Sequence, residues 1–142
     1  MYSIQDIKRA REDAARLKLK GHELFCSLPI TEVQHCCNGI GAAWMPTASR
    51  QLLNKRFAVL QIAAMIHDVR YSFGNGTDED FHEANADFST NGSMLACDKF
   101  PWWNPLRYVV IYDARRLAKV CDAFGHKAYY DAQIKREGKA LQ

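Results

Sequence analysis

Two adjacent polar residues, His67 and Asp68, interrupt the most apolar stretch of the chain, IAAMIHDVRY, where a charge-capable pair costs free energy unless it is satisfied or used. An imidazole can serve as a general base and a carboxylate as a hard metal ligand, so the pair can carry hydrolytic chemistry. Ala63 and Ala64 fall one turn before it and leave space, while Tyr71 falls one turn after His67 on the same helical face. On the dipeptide alone, a core histidine bonded to a backbone carbonyl is at least as good a reading. Upstream, the run CNGIG changes the balance. Gly39 and Gly41 let the backbone turn tightly and present carbonyl oxygens inward. A hard cation such as calcium takes oxygens of that kind together with a carboxylate, which Asp68 can supply.

The elements that must position these groups are helical. Ser3 reads as the N-cap of a helix over 3–20, with Ile4, Ile7, Ala10, Ala14 and Leu17 on one face and Gly21 as the stop. The segment 29–46, bracketed by Pro29 and Pro46, reads as an irregular loop. From Thr47 to about Tyr71 the pattern predicts helix in two pieces, the second buried on most sides. Thr77 caps a further helix whose first turn holds Asp78, Glu79 and Asp80, as the macrodipole favours, and which runs to the vicinity of Asn91 and Gly92. A last helix starts near Pro105, spaces Val110, Ala114, Leu117, Cys121 and Phe124 along one face, and ends at Gly125. No run reads as a convincing strand, so the fold class is mainly α.

Length and composition bound the rest. At 142 residues with 48% hydrophobic, the chain reads as a single domain over 1–142 that buries a core without staples. A net charge of +3 is too small to name nucleic acid as a partner. The charged N-terminus lacks the apolar core of a secretory signal, and the longest charge-free apolar run, Phe57 to Ile66, is too short to span a bilayer, which predicts cytoplasmic synthesis and no transmembrane segment. Five cysteines, at 26, 36, 37, 97 and 121, form no regular framework and read as free thiols.

Taken together, the loop and the H-D-x-x-Y helix resemble the phospholipase A2 fold family, in the looser form of its parvoviral and bacterial members, over residues 36–88 with a motif-bearing core of about 36–97. The resemblance implies two antiparallel core helices and a glycine-containing calcium-type loop. It implies His67 as general base, Tyr71 as support of the catalytic network, and calcium held by Asp68 with the carbonyls of Cys37, Gly39 and Gly41. A phospholipid or membrane surface is the implied partner. The runs CNGIGAAWMP and IHDVRYSFGNGT are also similar to small proteins of tailed bacteriophages, which implies incorporation in a phage particle beside other virion proteins.

Departures from the family pattern bear on activity. Arg70 stands where secreted members carry cysteine, their disulfide framework is missing, and 26 residues separate Gly41 from His67, which implies an inserted helix at 47–56. The family's D-x-x-F motif, spaced back from Phe88, lands on Asn85. Periodicity puts Asn85 on an inward face with Phe81, Ala84, Phe88 and Leu95, and puts Asp80, Glu83 and Asp87 in an acidic stripe on another. An amide can orient the imidazole but cannot stabilise imidazolium by charge.

Two functions from different classes therefore stand: a calcium-dependent phospholipase A2-like ester hydrolase acting through His67, Asn85 and Tyr71, and a catalytically weak or inactive accessory protein of a bacteriophage particle. An HD-type metal phosphohydrolase would need further histidines at helical positions, and few are spare, His22, His35 and His82 among them. Zinc at His35, Cys36 and Cys37 lacks the usual ligand spacing. Trp44, Met45, Phe100, Trp102 and Trp103 read either as core or partner-interface packing, the more ordinary role of large aromatics, or as an apolar rim facing lipid.

Overall fold

The computed structural model describes residues 2–37 and 46–140, and among these it is helical throughout, with no strand. In chain order the helices are α1 Ile4–Arg16, α2 His22–Ser27, α3 Ile30–Cys36, α4 Thr47–Arg56, a single 3₁₀ turn at Ala58–Leu60, α5 Gln61–Ser72, α6 Asp78–Lys99, α7 Pro105–Phe124 and α8 His126–Ala140. None is long and apolar enough to cross a membrane.

Local sequence explains the starts. Ser3 and Asp6 exchange hydrogen bonds in a capping box, the Asp6 N–H donating to Ser3 Oγ at 3.0 Å and the Ser3 N–H to Asp6 Oδ2 at 3.1 Å. Thr77 caps α6 through the Asp80 N–H at 3.1 Å, and Asn104 caps α7 with Pro105 in its first turn. Several ends differ from the sequence reading. α1 stops at Arg16, where Lys18 takes a left-handed φ of 51°, and Gly21, φ 85°, opens α2 instead of closing α1. Ile4 is exposed. Part of the supposed loop at 29–46 is α3, seeded by Pro29 at its N-cap, and residues 38–45 of that segment lie outside the described residues.

α6 does not end at Asn91 and Gly92. It continues to Lys99 because both residues have packing partners instead of turning the chain. The Asn91 amide donates to Lys20 O at 2.9 Å and accepts from Lys20 N at 2.7 Å, which pins the α1–α2 turn to α6. Gly92 lets α7 close in: a Cβ there would sit 2.5 Å from the Cβ of Ala114. Beyond Gly125 the chain enters α8, a helix not foreseen from the sequence, whose Tyr129 is fully buried and whose Gln133 donates to Tyr71 O.

The core gathers Ile7, Leu19, Phe25, Val33, Leu60, Ile66 and Val69 around α5, which touches α2, α3, α6 and α8. α5 and α6 run antiparallel, since their contacts pair in reverse order: Tyr71 with Phe81, His67 with Asn85, and Leu60 against Gly92. α7 lies on the outer side of α6 with only Ala114 and Ala118 buried.

Candidate functional site

Helix periodicity brings His67 and Tyr71 to the face of α5 that meets Asn85 on α6. Asn85 is 1% exposed, so its amide must find partners inside the protein. It finds three. His67 Nε2 lies 2.7 Å from Asn85 Oδ1, the Tyr71 hydroxyl donates to the same oxygen at 2.7 Å, and Asn85 Nδ2 donates to Asp122 Oδ1, near the end of α7, at 2.8 Å. His82 Nδ1 reaches that same Asp122 oxygen at 2.9 Å. An amide oxygen accepts and cannot donate, so the hydrogen shared with His67 sits on Nε2, and the Nδ1 lone pair is the ring's base.

Aromatic packing fixes the imidazole. Its ring centroid is 4.1 Å from that of Tyr71 and 5.5 Å from that of Phe88, which stands edge-on. Burial pushes the His67 pKa down from 6.5 to about 4; the Asn85 hydrogen bond works the other way, and the Arg70 charge adds to the lowering. The ring is therefore neutral at pH 7. Burial also raises the Tyr71 hydroxyl, with the Cys121 thiol adding to it, so Tyr71 remains a donor. For Asp122, burial would raise the carboxyl, but hydrogen bonds from Asn85 and His82 outweigh it and hold it below the ordinary carboxylate value.

Asp68 follows His67 on α5, and its charge reaches residues beyond the His67 group. Burial, then the Asp68 charge, pushes up both the Tyr2 hydroxyl and the Cys37 thiol, and the same two causes raise Cys121 to about 11. Cys37 is buried where α3 ends, its Sγ donating to Met65 O at 3.5 Å. The end of α3, the N-terminal Tyr2 and α5 thus converge near Asp68. Gly39 and Gly41 lie outside the described residues, as do Trp44 and Met45.

Arg70 sits between two acids of α6. It pairs with Asp87 and lies 3.5 Å from Asp80, all three side chains being less than one-fifth exposed. The acidic stripe read from the sequence is in this part an inward ion cluster, joined by the Tyr129 hydroxyl, which donates to Asp80 Oδ2 at 2.6 Å.

The remaining candidates separate. His35 is exposed on α3 while Cys37, the C-cap that follows the helix, is buried, so the two side chains diverge and do not make a zinc site. Among the described residues no three His, Cys, Asp or Glu side chains cluster to hold a metal. Trp102 and Trp103 are 73% and 67% exposed, which removes the core-packing reading. They precede α7 while Asp122 lies near its end, roughly 25 Å along the helix, so they do not rim the His67 site. A cavity of about 660 Å³ between α3, the end of α5 and α8 is lined by Glu32, His35, Cys36, Phe73 and Lys135 among others, and by none of the His67 network.

Sequence reasoning missed Asp122 and His82. Asp122 is 37 residues from Asn85 and carries no motif; only the α7 period, which places Cys121 inward, put its neighbourhood near the core. Compared with known proteins, the chain matches no family model, no curated protein and no solved structure.

Proposed function

We propose that the protein is a calcium-dependent phospholipase A2-like ester hydrolase in which His67 activates the attacking water. The observation that carries this reading is the His67–Asn85–Tyr71 group: a neutral, packed imidazole whose Nε2–H is held by an amide oxygen, so that Nδ1 is the base. Nδ1 takes a proton from water as the water adds to the ester carbonyl, and returns it to the leaving alkoxide. Asn85 and Tyr71 hold the ring in place through both events, and burial keeps it unprotonated before them.

Calcium fits the donors near Asp68. Tyr2 has a buried hydroxyl with no hydrogen-bond partner among the described residues, beside a carboxylate and the start of the glycine-containing segment. The Cys37 thiol is turned to Met65 O, which leaves oxygen donors, the kind calcium takes. Asp68 and the carbonyls of Cys37, Gly39 and Gly41 would hold the ion, which when bound supplies Lewis-acid stabilisation of the oxyanion.

Two observations favour a second reading, a catalytically silent component of a phage particle. The group that orients His67 is an amide and not a carboxylate, and two exposed tryptophans lie far from the site, where they suit contact with another protein. Calcium calorimetry and a short-chain phospholipid ester assay separate the two. The hydrolase reading expects calcium binding that is lost in Asp68→Asn and turnover that falls to background in His67→Ala. Equal, calcium-independent rates in the parent and both variants defeat it and leave the silent scaffold.

A further inference from the structure

The Asn85 amide is nearly symmetric in shape, and its two ends have opposite hydrogen-bonding character. His67 and Tyr71 alone do not decide which end faces them. Turned round, Asn85 Nδ2 could donate to a His67 that carries its hydrogen on Nδ1, and the Tyr71 hydroxyl could accept from the same amide. The group on the far side does decide. An ionised carboxylate only accepts, and with Asn85 reversed two bare oxygens would stand at the 2.8 Å now spanned by the Nδ2–H of Asn85 and Asp122 Oδ1. Hydrogen bonds from Asn85 and His82 keep Asp122 ionised.

We propose that Asp122 is a positioning residue: its carboxylate locks the Asn85 amide with Oδ1 toward α5, and so sets His67 as the Nε2–H tautomer with its base on Nδ1. The role for His67 rests on the hydrolase reading, whereas the orientation and tautomer do not. Asp122 touches neither His67 nor the reacting atoms. It acts through one amide, which also passes on its charge, since an amide that donates to a carboxylate is a stronger acceptor at its oxygen. The site then has its negative charge one residue further out than a histidine–carboxylate pair would.

The test reads the tautomer directly, from imidazole ¹⁵N shifts of the full-length protein at pH 7.5 without metal, with the His67 signals assigned by their loss in His67→Gln. The parent should show the Nε2–H form in excess by about tenfold or more, because the reversed amide would forfeit the hydrogen bond that Asn85 Nδ2 makes to the charged Asp122. Asp122→Asn can turn either end of its amide to Asn85 and should shrink that excess. Asp122→Ala should bring up the Nδ1–H form, and Asp122→Lys, which offers only donors, should favour it. Asp122 is about half exposed, so these changes leave the core intact, and amide ¹H–¹⁵N spectra check the fold. A pure Nε2–H tautomer in both folded Asp122→Ala and Asp122→Lys overturns the proposal, whether or not the parent hydrolyses anything. Where the parent turns over ester, Asp122→Ala should lower kcat about tenfold or more with KM little changed, and Asn85→Asp/Asp122→Asn, which moves the charge next to His67, should restore it. Asn85→Asp alone should not, because it sets two carboxylates against each other.

Discussion

Two sets of polar groups cross the α5–α6 interface less than a turn apart along α5, and they handle polarity in opposite ways. Around Arg70, the guanidinium faces Asp80 and Asp87, with Lys20 Nζ 3.9 Å from Asp87 and the Tyr129 hydroxyl on Asp80. Each charge there meets an opposite one, and the result is a clamp. Around His67, the groups that meet across the interface are an imidazole, a phenol and an amide, each hydrogen has one direction, and the Asp122 carboxylate stands behind the amide. That chain of bonds leaves a base on Nδ1 at its end. The contrast separates residues that hold the helix pair together from residues that the helix pair holds in place.

The clamp should dominate stability. Arg70→Met takes the guanidinium away from two largely buried carboxylates, which costs about 3–5 kcal/mol. Replacing Asp80 and Asp87 by Asn in the same chain should recover most of that loss, because no unpaired charge is then left. Urea unfolding of the two variants measures both effects. A loss under about 1 kcal/mol for Arg70→Met, the range of an exposed ion pair, would mean that the cluster is no clamp and that the contrast with the His67 group fails.

The same contrast explains what the sequence disclosed. Periodicity found α5, the start of α6 and the inward position of Asn85, because apolar neighbours such as Phe81 and Phe88 mark the buried face. It put Asp87 in an acidic stripe on a face other than the inward one, since nothing local to α6 announces that Arg70 will meet it. The end of α6 was misplaced because Asn91 and Gly92 carry the residue types of a turn, and their partners, Lys20 and Ala114, come from α1–α2 and α7. Asp122 was illegible for the same reason. Its one informative partner is an amide from another helix, and pattern reading sees a helix's own faces and not what arrives at them. α8 went unseen because its apolar residues are few and its burial rests mainly on Tyr129 and Gln133, which bond to the α5–α6 turn and to α5.

Acid sharpens the comparison with a smaller effect. His67 has a folded pKa of about 4 against an ordinary 6.5, so between those values the unfolded chain binds a proton that the folded protein refuses. The contribution is therefore complete above about pH 6.5, is lost as pH falls toward about 4, and changes no further below that. The loss between pH 7 and pH 5 should be about 2 kcal/mol. His67→Gln, which cannot titrate, should flatten that part of the stability profile by the same amount in urea unfolding at the two pH values. An unchanged profile would mean that the ring is not kept neutral by burial.

The smallest effect tests how the bonds to Asn85 are shared. Tyr71→Phe removes one of the two donors to Oδ1 and keeps the ring that packs on His67, Phe81 and Tyr129. What is lost is the second bond to a carbonyl oxygen that still accepts from His67, a deficit that interiors tolerate better than an orphaned N–H. The cost should be about 1 kcal/mol in urea unfolding, and any ester turnover should fall less than tenfold. Tyr71→Ala also removes the ring and should cost about 3–5 kcal/mol, as other large-to-small core changes do. The ordering follows from the direction of the bonds: Tyr71 adds a second donor to an oxygen already correctly turned, whereas Asp122 determines that it is turned. If Tyr71→Phe disturbed the His67 tautomer as much as Asp122→Ala, the phenol would share in setting the amide, and the site would be held from both sides instead of from behind.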